Sequence, residues 1–355
     1  MRACSTQFYV LEHYLRLKTD IPENWLSSLQ ALTRSPRLSM EVDLTHDSRG
    51  FSGRLAFLET RLVNACGFYL NSASSIFGSN ADTAAIIMPL QGTVEFEVGG
   101  KHFVSAPGAP FVLDAGVEFF ARLSPKVHLF IVQPGQLASE QALKHLKSGD
   151  PELVTLLESY LIETPFFRNH QHAVERTSSF GKALDRYIAG DKSPARARKL
   201  IVLVEEERRL CRAFELINDQ LQTGVDLDKV ARDSGMSLRN FYYLLKKYTG
   251  MTPYHFCRAR RLVKARESLI DCHHQNPVVA NHALKWGFNH AGRFSSYYHD
   301  HFGEYPSETL QRLEALEERT ARVWSVDAGS LERTKYWYTS ATTTEEMPEG
   351  LCQSS

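Results

Sequence analysis

Residues 225–250 read VDLDKVARDSGMSLRNFYYLLKKYTG, and this stretch decides the fold of the second half of the chain. Leu227, Val230 and Ala231 fall at helical spacing and make a short apolar stripe. Gly235 predicts the end of that helix, because glycine tolerates the left-handed backbone that a helix terminus needs. Ser237 is a good N-cap for the next helix, since its hydroxyl can accept from free first-turn amides. Phe241, Leu244, Leu245 and Tyr248 then give a buried face, leaving Arg239, Asn240, Tyr242, Tyr243 and Lys246 outward. A short helix, a glycine turn and a capped helix with a polar outer face is the layout that presents side chains to a DNA groove.

The pattern then returns. Asn276-Pro277 opens another helix with Val278, Val279, Ala283 and Leu284 as its apolar positions, and Gly287 breaks it. Asn289 can cap a further helix over residues 291–301, with Phe294, either Tyr297 or Tyr298, and Phe302 inward. His290, Arg293 and Ser296 form its outer face. Between the units, Thr252-Pro253 starts a helix to about Leu269 that carries Arg258, Arg260, Arg261, Lys264 and Arg266. Proline is tolerated in its first turn, where the missing N–H would be unpaired anyway. This basic helix is expected to space the two reading helices and to add phosphate contacts, since successive major grooves on one face of B-form DNA lie ~34 Å apart. Arg239 suits guanine, Tyr242 and Tyr243 suit phosphate or a thymine methyl, and Arg293 leads in the second unit with Ser296 and His290 in support.

These residues resemble the AraC/XylS transcription regulators. The similarity runs through Leu227…Val230-Ala231…Gly235-Met236-Ser237, Gly250…Pro253, Arg261-Leu262…Ala265…Leu269, Trp286 to Phe294, and Phe302-Gly303-Glu304-Tyr305-Pro306-Ser307. It covers about a hundred residues with several spaced anchors. One position departs from it: His282 stands where the family usually carries an apolar residue. The resemblance implies a DNA-binding regulator, an activator rather than a repressor, that answers to a small-molecule effector and works with RNA polymerase, with a dimer surface on a helix before the DNA-binding part.

Composition is compatible with this. A chain of 355 residues with 43% hydrophobic and 23% charged residues is expected to make two soluble domains. It has no apolar run long enough for a membrane span and no signal-peptide core, so a cytoplasmic location is expected. Six scattered cysteines without a Cys-x-x-Cys pair exclude a zinc finger and suggest reduced thiols. Net charge is zero, yet residues 207–312 hold 16 Lys/Arg against 11 Asp/Glu, so the positive excess lies on the DNA-reading part.

The first half changes period. Residues 1–50 contain helical-looking apolar positions (Phe8, Leu11, Tyr14, Leu15, then Trp25, Leu26, Leu29). From Gly53 to about Gln133 short alternating runs are separated by Gly and Pro turns, with Gly99-Gly100 as a hairpin. This predicts a small β-barrel, similar to the cupin-like sensor half of the same family, lined by Phe68, Tyr69, Phe96, Phe103, Phe111, Phe119, Phe120 and Phe130. An apolar cavity inside it would suit a small organic effector, although no contact residue can be nominated. A cupin-type metal-dependent enzyme with a basic helical appendage is the alternative. It would need several convergent ligands, and only His102 and His128 lie on the strands, at expected surface or rim positions. No metal, cofactor or catalytic residue is expected. A protein-interaction adaptor that uses the helical repeat without DNA is a further alternative.

The expected fold is therefore α+β in two parts. Residues 1–135 form the cupin-like sensor and 136–206 a helical linker that could support a homodimer. Residues 207–315 form the double helix-turn-helix domain, and 316–355 a helix extension running into a partly disordered tail.

Overall fold

The computed structural model describes residues 9–43, 50–80, 84–135, 150–190, 204–275 and 277–327. The alternating runs become strands of two antiparallel sheets whose inner faces share an apolar core. One sheet has the order β1 (Leu15–Thr19), β3 (Gly53–Glu59), β4 (Val63–Leu70), β11 (Val127–Pro134), β6 (Ala85–Gln91), β9 (Phe111–Leu113). The other runs β2 (Ser39–Asp43), β5 (Ala73–Ser79), β10 (Glu118–Leu123), β7 (Val94–Val98), β8 (Lys101–Ser105). The hairpin between β7 and β8 turns at Gly99 and Gly100, both at positive φ (57° and 73°), as a tight two-residue turn requires.

The expected barrel does not close. Among the described residues no ladder joins the two sheets, so β1, β9, β2 and β8 remain edges. At the β8–β9 corner the reason is local: Pro107 and Pro110 have no N–H to continue a ladder, and β9 is three residues long. The lead-in also departs from its helical reading. Glu12–Tyr14 form one 3-10 turn, and alternation of buried Leu15, Leu17 and Thr19 makes the next residues a strand paired with β3. Phe8 lies outside the described residues. Helix α1 (Pro22–Thr33) does form, and it buries Trp25, Leu26 and Leu29. Of the expected lining residues, Phe68, Phe96 and Phe111 are in the intersheet core with Phe103 and Phe119 against it, whereas Phe130 faces the opposite side of its sheet.

That opposite side is covered by α2 (Pro151–Glu163) and α3 (His170–Ile188), where Tyr160 stacks between Phe130 and Phe180 (ring centroids 5.7 and 4.4 Å). Residues 136–149 and 191–203 of the expected helical linker lie outside the described residues. The helical half follows as α4 (Val204–Gln220), α5 (Leu227–Asp233), α6 (Leu238–Thr249), α7 (Pro253–Asp271), α8 (Val279–Lys285), α9 (Ala291–Phe302) and α10 (Pro306–Asp327). Leu210 is buried beside Phe214 in the core that α4 shares with α5 and α6. The two halves are not separate in packing: Ile270 of α7 and Leu313 of α10 belong to the intersheet core cluster. Among the described residues Cys66, Cys257 and Cys272 are free thiols. Among the described residues no helix is long and apolar enough to cross a membrane.

Candidate nucleic-acid interface

Helices α5 and α6 form the first unit as the sequence predicts. Asp226 caps α5 by accepting from the Lys229 amide (3.0 Å), and Ser237 caps α6 by accepting from the Asn240 amide (3.2 Å). Gly235 sits in the turn at φ 68°, and Gly250 ends α6 at φ 70° with its amide donating to the Lys246 carbonyl. Phe241, Leu244 and Leu245 are buried, so the helical period leaves Arg239, Asn240, Tyr242, Tyr243 and Lys246 all exposed. Tyr243, the most open of the aromatic residues there at 62% exposure, has the Lys247 ammonium 5.8 Å from its ring centre. An exposed aromatic beside a lysine is a surface made for contact with something planar or anionic.

The second unit keeps the plan but changes its details. Phe294, Tyr298 and Phe302 are buried, which settles the choice between the two tyrosines in favour of Tyr298. His290, Arg293 and Ser296 are exposed, but the Ser296 hydroxyl donates back to the Gly292 carbonyl (3.1 Å). Asn289 is not the cap: His290 holds that position, and its side chain makes no cap bond. Val278 and Leu284 were expected to be buried; they are 59% and 57% exposed, because the seven-residue α8 buries Ala283 alone. His282 is half-buried, and its Nδ1 pairs with the Ser268 hydroxyl of α7 (2.8 Å). The imidazole thus ties α8 to the linker helix where an apolar residue would simply pack.

The linker helix α7 is where sequence reading misplaces most. Its basic residues do not share one solvent face. Arg266 is fully buried: Nε donates to the Leu15 carbonyl (3.0 Å), Nη1 pairs with Glu304 (2.7 Å), and the guanidinium lies 4.7 Å over the Phe302 ring. Arg260 is buried against Glu12 and donates to Asn218 (3.1 Å). Lys264 pairs with Glu267, which also holds Arg54 of β3 (2.8 and 2.6 Å). These charges join the helix to the β-sheet half and are not available to phosphate. Buried ions of this kind persist only because each has a close partner.

Further contacts complete the seam. Lys18 pairs with Asp271 (2.8 Å), and Glu304 gathers Arg16, Arg266 and Arg312. Burial opposes ionisation of Glu304, but those arginines outweigh it and hold the carboxyl well below the usual range. His13, just before β1, and His301, in the last turn of α9, are both buried with Nδ1 and Nε2 2.8 Å apart. Their other ring nitrogens reach the Pro165 carbonyl (3.1 Å) and the Arg168 carbonyl (3.2 Å). Burial first, then the nearby Arg260 and Arg266, lowers His13 to about 3, and burial likewise pushes His301 well down, with His13 next. His128 is no rim residue either: its Nε2 accepts from the Val10 amide (3.2 Å), and burial followed by Arg54 lowers it to about 4. It lines a seam cavity of about 250 Å3 with Tyr9, Arg54 and Arg260. The other expected strand histidine, His102, is exposed beside Glu97 (3.8 Å). No sequence signal marks His13 and His301 as neighbours, since 288 positions separate them.

Two helix-turn-helix units joined by a shared helix define the class of protein, and comparison with known proteins agrees. A family profile described as "Helix-turn-helix domain" matches residues 230–312. The XylDLEGF operon transcriptional activator 3 of Pseudomonas putida is 39% identical over 101 residues, 28% of this chain and 30% of that protein. The shorter XylDLEGF operon transcriptional activator 2 of the same organism is 31% identical over 117 residues, 32% of this chain and 74% of that protein. Among solved structures, the AraC-like transcriptional activator CuxR aligns over 70% of this chain and 94% of its own at 18% identity and a TM-score of 0.39. The chain belongs to the AraC/XylS family of transcription regulators. Its match to the first of these relatives spans less than a third of that relative's length.

Proposed function

We propose that this chain is a sequence-specific DNA-binding transcription regulator, an activator, whose N-terminal half binds a small effector and alters how the two reading helices are presented. The observation that carries the reading is the pairing of two helices with exposed polar faces, Arg239 to Lys246 and His290 to Ser296, on one linker helix. Arg239 and Arg293 are assigned to base edges, Asn240, Tyr242, Tyr243, Lys246, His290 and Ser296 to supporting base or phosphate contacts. Residues 1–135 sense, 136–206 link and could support a homodimer, 207–315 bind DNA, and 316–355 extend beyond it. RNA polymerase is the partner an activator requires.

Effector control has a route. A cavity of about 70 Å3 between the sheets is lined mainly by apolar side chains, including Leu29 of α1, Phe68, Ile87 and Leu129, with Thr33, Ser35, Asn80 and Gln133 as its polar members. Helix α1 is one of its walls, and α10 packs on α1. A small apolar ligand that moved α1 would therefore press on the last helix of the DNA-binding part.

The test is a band-shift titration on the native promoter. Arg239→Ala and Arg293→Ala should each weaken specific binding by ~1–3 kcal/mol and relax base preference at one position. Unchanged affinity in both variants rejects the assignment of the reading helices.

A further inference from the structure

The basic residues of α7 that the seam leaves over line a second feature. Tyr254, Arg258 and Arg261 are spaced i, i+4, i+7, so they form one stripe of the helix. Arg260, Lys264 and Glu267 form another, which faces the β-sheet half. The first stripe is the floor of a cleft of about 630 Å3 between the two helix-turn-helix units. One wall is residues 224–227 at the start of α5; the other is the 287–290 turn with Arg293 and Tyr297 of α9.

The cleft is built to hold positive charge in place. The Arg258 guanidinium lies over the Tyr297 ring at 4.3 Å, which fixes its plane and leaves its donor edge uncommitted to a carboxylate. Arg261 donates from Nε to the Leu221 carbonyl (3.0 Å), and a Cβ on Gly287 would stand 3.3 Å from its Nη1. Gly287, at φ 81°, thus serves the turn and makes room for the arginine. Among the described residues neither Arg258 nor Arg261 forms an ion pair with an acid. The acid in the cleft, Asp226, is engaged in capping α5. Tyr254, 67% exposed, adds a hydroxyl donor.

We infer that this cleft clamps the DNA strand that runs between the two reading helices, with Arg258, Arg261 and Tyr254 contacting its phosphates. The inference rests on the DNA-reading function proposed above and deepens it. These contacts carry affinity without sequence information, whereas Arg239 and Arg293 carry the sequence information. The linker helix is a two-sided part, one stripe bonded to the sensor and the other to the nucleic acid backbone.

The experiment is the salt dependence of the full chain's affinity for its native promoter and for a scrambled duplex of equal length. For the Arg258→Gln/Arg261→Gln double variant, the slope of log K against log salt should fall by about 0.9 for each phosphate that the variant no longer neutralises. The ratio of specific to nonspecific affinity should stay within about threefold of the original. Tyr254→Phe, a change at an exposed position that folding tolerates, should weaken both duplexes by a similar small factor. Arg239→Ala should do the reverse, lowering the ratio and leaving the slope nearly intact. If the double variant and Tyr254→Phe both keep the original slope and affinity while the parent binds, the clamp is wrong and the reading helices stand. If the double variant loses discrimination with no change in slope, the cleft reads bases and the clamp is again wrong. If the parent shows no salt-dependent binding to either duplex, the DNA-reading function itself fails and the clamp with it.

Discussion

In the first helix-turn-helix unit both helices begin on a side-chain cap, Asp226 and Ser237, whereas in the second Val278 and His290 hold those positions and make no cap bond. The first unit also shares a core with α4, through Val230, Ala231, Phe241, Leu244 and Leu245 packed near Phe214. The second contributes Ala283 from one helix and three aromatic residues from the other, and it leans on α7. What it lacks in itself it takes from elsewhere: His301 bonds to His13 and to the Arg168 carbonyl, and Gly303 abuts His170. One reading helix is thus braced by its own unit, and the other by residues that precede the DNA-binding part, His13, Arg168 and His170. If the N-terminal half binds an effector as proposed, a change there should reach DNA mainly through the second.

The strongest way to break this asymmetry is Glu304→Gln. It leaves Arg16, Arg266 and Arg312 without their shared carboxylate, and loss of one partner from a buried ion group costs ~3–5 kcal/mol. Denaturant unfolding should show the loss, and amide exchange should place it in α9 while α6 stays protected. Equal loss of protection in both helices would mean that the units are braced alike.

Acid should act on the same joint. His13 and His301 are held neutral by burial, below the unfolded value of 6.5, so their contribution is complete above that value and drains away as pH falls below it. For two such groups the loss between about pH 7.5 and about pH 5.5 is ~2–3 kcal/mol. The His13→Gln/His301→Gln variant should therefore show a flatter stability profile than the parent across that range. Parallel profiles would remove the histidine pair from the account.

The glycines that end the two reading helices offer a matched pair. Gly250 and Gly303 have φ values of 70° and 76°, so alanine at either incurs the left-handed penalty of ~1–2 kcal/mol. At Gly250 the nearest atom to a new Cβ would be Arg168 Cδ at 3.9 Å, but at Gly303 the His170 ring stands at 2.5 Å and is tied to the Tyr14 hydroxyl. Gly303→Ala should exceed Gly250→Ala by ~1 kcal/mol or more, read from melting curves. The smallest effect is at the caps: Val278→Asp should stabilise by ~0.5–1 kcal/mol, while Asp226→Ala should cost ~1 kcal/mol.

Local chemistry was legible in the sequence and partner choice was not. Ser237, Thr252, Gly235, Gly250 and the Gly99-Gly100 turn act within a few residues of themselves, so their neighbours along the chain define their roles. The exposed faces of α6 and α9 follow from helical period in the same way. Arg260 and Arg266 look like solvent-facing charges because their partners, Glu12 and the Leu15 carbonyl, lie 248 and 251 positions away. Val278 and Leu284 look like core because period alone does not reveal that α8 is too short to be covered. The open edges of the sheets were equally hidden, since closure depends on which strands meet rather than on their alternation.

The joint between His13 and His301 is unusual in its hydrogen count. Running from the Pro165 oxygen through both rings to the Arg168 oxygen there are three short gaps, and two uncharged imidazoles own one N–H apiece. One gap is therefore left with lone pairs facing each other. An added hydrogen ion would fill it, at the expense of a cation sealed in among Arg258, Arg260 and Arg266. The joint is underbonded in one state and overcharged in the other, so neither state grips at full strength.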